Sequence, residues 1–287
     1  MTATLTAAVT VGIETISPDH ARELIAMYNP VNRTVSSATV ALYARLMRDG
    51  KWALNGESIQ FDTSGNLLNG QHRLLAVIES DMVLTTMVVR GLPTESRDTM
   101  DQHRKRTAGD VLNMHGHRDG THLASVARVV HRWDAGLRGA TLMGAGQTML
   151  SATEILDFLV TEPLILPAVE AVRRKDAEVL APSRTLGPLW VLTHRADPDA
   201  AQEFFTRLIT GRMLEIGNPI LTLRRYFSNG REKEARRTRA ITSFTMLNAG
   251  VRAWNAWSSD VTMMNIAWKN HNIPELIKPK KARSSEA

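Results

Sequence analysis

Three side chains suited to gripping an anion follow a glycine in the run Asn69-Gly70-Gln71-His72-Arg73. Gln71 donates or accepts, His72 donates from a ring nitrogen, and Arg73 presents a two-pronged fork matched to phosphate. A glycine between a strand and a helix lets the backbone approach a ligand closely. The first unbonded N–H groups of that helix point at the ligand, and the helix dipole favours negative charge there. The five residues together read as a phosphate grip, with Gln71 placed to orient a reacting group and His72 beside it as a second catalytic candidate. The plainer alternative has Arg73 lying along the helix and His72 packed inside.

A second constellation lies downstream, in Asp101-Gln102-His103-Arg104-Lys105-Arg106 and Asp110. A carboxylate beside His and Arg can hold Mg²⁺ on a nucleotide or act as a base, which makes Asp101 the metal and catalytic candidate. The alternative is a solvated loop in which Asp101 and Asp110 cap helices. The densest basic run holds Arg224, Arg225, Arg231, Lys233, Arg236, Arg237 and Arg239 against Glu232 and Glu234. With Arg104, Lys105 and Arg106, it is the expected nucleic-acid contact, made mostly to phosphates and sensitive to salt. The competing reading is a solvated helix face with internal Glu–Arg pairs. His115, His117 and His122 have no carboxylate at fixed spacing and read as loop residues rather than metal ligands. Trp254, Trp257 and Trp268 offer stacking faces, but their spacing fits a helix core better.

The elements that must position these groups follow from period and punctuation. Val11–Ile16 alternates as a strand, and Ser17-Pro18 opens a helix to about Tyr28. Ser36 or Ser37 caps a second helix, which ends at Asp49-Gly50. Ser58–Asp62 and Leu67-Leu68 form a hairpin around Thr63-Ser64-Gly65-Asn66. Gln71–Ser80 is a helix and Met82–Val89 a strand. Beyond Thr94 the pattern is helical, over about 94–101, 107–115, 120–137, 151–160, 163–179, 183–195, 199–211 and 232–257. Gly136–Gly146 is the expected linker, and Met1–Thr10 a short lead-in or edge strand.

Composition narrows the class. With 287 residues, 43% hydrophobic and 22% charged, the chain suits two folded domains. There is no cysteine, which removes disulfides, thiolate zinc sites and Cys nucleophiles and fits a reducing, cytoplasmic setting. No apolar stretch approaches the ~20 residues of a membrane span. A net charge of +6 favours polyanionic partners.

The residues from Trp52 through Ile59-Gln60-Phe61-Asp62 to Gly65-Asn66-Leu67-Leu68-Asn69-Gly70-Gln71-His72-Arg73-Leu74-Leu75-Ala76 resemble the ParB N-terminal-domain family and its relative sulfiredoxin. The chain is similar in particular to bacteriophage and actinobacterial proteins labelled ParB-like nuclease-domain proteins, which pair such a turn with a downstream Asp and basic residues and a Trp-Asn helix, here Trp254-Asn255. The resemblance implies nucleotide phosphates, from ATP or CTP with Mg²⁺, bound at Asn69, Gly70, Gln71, His72 and Arg73. Sulfiredoxin has its catalytic Cys where this chain has Gln71, so sulfinic-acid reduction is excluded. ParB has Glu there, so its CTPase chemistry does not carry over directly, and no helix-turn-helix for a partition site is visible.

The expected architecture is α+β: a ParB/sulfiredoxin-like domain over 1–117, a mostly helical domain over 118–277 for nucleic acid, and a basic tail over 278–287. The expected function is a phage-type protein that binds nucleotide and acts on or with DNA, with no membrane role and scope for homo-oligomers. Two alternatives stand beside it. One is a non-enzymatic DNA binder that uses the turn for backbone phosphates; the other is an ATP-dependent kinase or transferase of DNA base hypermodification. A nuclease is the least supported reaction, because no paired-carboxylate metal motif is present.

Overall fold

Strands and helices are intermixed up to Leu92, and only helices follow among the described residues. The computed structural model describes residues 8–28, 34–100, 106–144, 150–235, 241–267 and 272–279, with backbone alone for 230–235. The fold is mixed α+β, in two compact units of residues 1–105 and 106–287.

The first unit runs β1 (Thr10–Ile16), α1 (Pro18–Tyr28), α2 (Ser37–Arg48), β2 (Ser58–Asp62), β3 (Leu67–Asn69), α3 (Gln71–Ser80) and β4 (Leu84–Leu92). Sheet order is β1-β4-β2-β3. β1 lies antiparallel to β4, β2 and β3 form the expected hairpin, and β2 runs parallel to β4. A parallel pair needs a crossover, and α3 supplies it. Ile59 lies beside Val88 in the register. These two, with Ile16, Phe61 and Leu84, close a core against Leu24, Val40, Met47, Leu74 and Val77 from the three helices. Ser36 caps α2 as read, accepting from the Thr39 N–H at 3.3 Å.

The second unit contains α4 (Ala108–Met114), α5 (Gly120–Asp134), α6 (Ala152–Thr161), α7 (Ile165–Val172), α8 (Lys175–Glu178), α9 (Ser183–Ala196), α10 (Pro198–Thr210), α11 (Pro219–Ala235) and α12 (Ser243–Ser258). α9 is the hub, packed on α5, α7, α10 and α12. Gly187 allows the α5 approach: a Cβ there would overlap the Val126 side chain. Trp254 and Trp257 are buried with Phe204, which bears out the core reading for those two. Trp268 lies outside the described residues.

Several boundaries differ from expectation. The unit boundary falls at 105/106 rather than 117, because α4 packs on α5 and α6. Residues 94–99 form a 3₁₀ turn with no buried residue, lacking the apolar face that would hold an α-helix. The helix expected over 163–179 breaks at Arg173-Arg174. Val172 and Ala177, five apart, would sit about 140° apart on a continuous helix, and the break lets both reach one core. α11 was not expected; Pro219 opens it, and Ile220, Leu223 and Phe227 are its buried stripe. The expected linker is anchored at one point where described: Leu142 is fully buried and its carbonyl accepts from Arg132 at 3.3 Å, while Gly136, Ala140, Thr141 and Gly144 are exposed.

Candidate functional site

The glycine turn is framed by its hairpin. The Asp62 carboxylate accepts from Ser64 N at 2.9 Å, Asn66 N at 2.8 Å, Asn66 Nδ2 at 3.1 Å and Thr94 Oγ1 at 3.0 Å. Burial pushes its pKa up, but those hydrogen bonds outweigh it and leave the carboxyl below its ordinary value. The hairpin therefore delivers β3 to Gly70 in a fixed direction.

Gly70 has φ +113° and ψ 0°. A Cβ there would lie 3.0 Å from Ile59 Cγ1 and 3.3 Å from Ile59 Cα. Both the backbone angle and the packing thus demand glycine. α3 opens immediately, and Gln71, His72 and Arg73 are only 9%, 7% and 7% exposed. Asn69 is half-buried opposite Gln60 across the hairpin.

His72 Nε2 accepts the Ser36 N–H at 3.0 Å, which leaves the proton of a neutral ring on Nδ1. Arg73 Nη2 donates to the Ser58 carbonyl at 2.7 Å. The two side chains pin α3 to the start of α2 and the start of β2, so they brace the turn from inside. One imidazole also joins the N-termini of two helices, bringing two positive dipole ends together. Gln71 Oε1 and Gln60 Oε1 are sealed from solvent without a hydrogen-bond partner among the described residues. Ser36 was legible as a cap but not as a partner of His72, and Gln60 carried no signal of its own.

The other candidates are placed as follows. Asp101, Arg104 and Lys105 lie outside the described residues, as do Arg236, Arg237 and Arg239. Arg106 is exposed in the second unit. Asp110 forms a capping box with Thr107, accepting its N–H at 2.8 Å. Arg224 is drawn inward: Nη1 donates to the Leu208 carbonyl and, at 2.9 Å, to that of Ile209, capping α10, and burial lowers its pKa. Arg225 stays exposed. His122 is tied to Ser183 Oγ at 2.6 Å.

No family model, curated protein or solved structure matches this chain. The chemistry therefore rests on the geometry of its own residues. No helix among the described residues is long and apolar enough to cross a membrane.

Proposed function

We propose that the first unit binds the phosphates of a nucleoside triphosphate, ATP or CTP, at the N-terminus of α3, and that the protein works in DNA metabolism in a bacterial cytoplasm. The observation that carries this reading is the junction of two helix N-termini at His72 beside a turn that only glycine can make. Main-chain N–H groups at that junction are the anion donors, and the dipoles supply the field. The Gln71 carboxamide, with its oxygen unpartnered, is the group suited to orient what is bound. His72 and Arg73 keep the junction in shape through Ser36 and Ser58. Mg²⁺ would enter with the nucleotide's own phosphates. The resemblance to ParB and sulfiredoxin turns supports the same assignment.

A second reading is favoured by the same two side chains. With one Arg73 nitrogen and one His72 nitrogen held by main-chain groups, the turn offers mainly backbone donors. Such a surface suits a DNA backbone phosphate, bound in a salt-sensitive way.

Calorimetry with ATP, CTP and GTP in Mg²⁺, on wild type and Gln71→Met, tests the first reading. Wild type binds one nucleotide at micromolar levels, and the variant binds about tenfold more weakly with an unchanged melting temperature. No heat from any nucleotide on folded wild type overturns nucleotide binding; salt-dependent DNA binding that persists then supports the second reading.

A further inference from the structure

Arg128 and Arg132 stand one turn apart on α5 and so project from one face. Arg132 is 5% exposed, and Arg128 is half-buried. Each guanidinium has five N–H donors. Among the described residues Arg132 spends one on the Leu142 carbonyl at 3.3 Å, and Arg128 one on the Leu150 carbonyl at 3.5 Å. The Nε of both is sealed from solvent with no acceptor. His131, between them on the same helix, has a sealed and unpartnered Nδ1.

No carboxylate among the described residues pairs with either arginine. The acids nearest in sequence on α5 and α6 are committed elsewhere: Asp134 pairs with Arg195 at 2.6 Å, and Glu154 closes the Ser151 capping box at 2.8 Å. Burial lowers the pKa of both guanidiniums, and the charge of Arg128 lowers that of Arg132 further. A buried charge and a half-buried like charge without a counter-ion are costly, and arginine does not lose its proton to escape the cost. A bound anion removes the penalty.

We infer that Arg128 and Arg132, with His131 Nδ1 as a third donor, form a site in the helical unit for a small phosphate-class oxyanion. Arg128 makes the accessible side and Arg132 the floor. A floor this buried admits free phosphate or the terminal phosphate of a small molecule, and excludes the backbone of duplex DNA. The site is independent of the α3 turn.

The test is titration of the full chain with inorganic phosphate in a phosphate-free, low-salt buffer, read by calorimetry and by melting temperature. The proteins are wild type, Arg132→Met, Arg128→Met and, as the control for the other unit, Arg73→Lys. Phosphate should bind and raise the melting temperature of wild type and Arg73→Lys. Each methionine variant should bind about ten- to a hundredfold more weakly. Without phosphate, the methionine variants should melt no lower than wild type, since each removes a buried charge. If Arg132→Met fails to fold, the more accessible Arg128→Met decides. Absence of phosphate binding by wild type, unchanged binding in the methionine variants, or loss only in Arg73→Lys overturns the proposal. AMP binding that is tighter than phosphate and weakened in Arg128→Met supports it with a nucleotide as the source; equal binding, weakened in the same variant, supports it with free phosphate.

Discussion

Asn255 uses both ends of one carboxamide to hold a segment that has no regular structure of its own. Its Oδ1 accepts the Ile277 N–H at 2.9 Å, and its Nδ2 donates to the Glu275 carbonyl at 2.8 Å, while neighbouring Trp254 Nε1 donates to the Ile277 carbonyl at 2.8 Å. Asn255→Leu strands two main-chain groups and should cost about 1–3 kcal/mol. Urea denaturation measures that loss, and limited proteolysis should show earlier cutting near Ile277; equal stability would mean the strap contributes nothing. The Trp-Asn pair was visible in the sequence, and the burial of Trp254 was predicted from its spacing. The clamp was not, because its partners lie 20 and 22 residues away and carry no pattern. The glycine turn teaches the same thing. Glycine followed by a helix start is a local signal and was read correctly. That His72 meets Ser36, 36 positions earlier, and Arg73 meets Ser58, 15 earlier, depends on the path of the chain.

Among the helices, α9 carries a titratable group inside the core. His194 stacks on Trp190 with ring centroids 3.4 Å apart, and its Nδ1 lies 2.8 Å from the Trp190 carbonyl. Burial pulls its pKa below the ordinary histidine value, with the Trp190 bond opposing in part. A depressed histidine pKa means the unfolded chain takes up the proton first. Stability from this group is therefore complete above about pH 6.5, the unfolded value, and falls as pH drops through it until the folded pKa is reached. Urea midpoints between about pH 5 and 8 should show that fall in wild type and a flatter profile in His194→Phe, which keeps an aromatic ring on Trp190. An identical slope in both would remove His194 as its cause. At this scale the Ser36 cap was legible, because it sits beside the helix it starts, whereas the cap at Thr107 emerged only from the structure. α11 was not legible although Ile220, Leu223 and Phe227 mark its face, because Arg224, Arg225 and the basic run after them interrupt the apolar spacing.

Each unit closes its own core, so damage to one core should act on that unit's transition. Leu74 is fully buried among β2, β4 and the first-unit helices, and Phe204 is fully buried against Trp254 and Trp257 in the second. The switch from mixed to helical pattern near Val89 made two domains legible, but not their border: the short helix at Ala108–Met114 does not announce in sequence which core it joins. Leu74→Ala should cost about 2–5 kcal/mol and Phe204→Ala about 3–5 kcal/mol. Scanning calorimetry should then resolve two transitions, with Leu74→Ala lowering one and Phe204→Ala the other. Trp52 assigns them, because it is the single tryptophan of residues 1–105, its ring 4.9 Å from Tyr43, and the other five belong to 106–287. In Trp52→Phe, fluorescence should follow only the transition that Phe204→Ala moves. If both core variants instead shift a single common transition, the units unfold as one cooperative body, and a ligand bound to either would stabilise the whole chain.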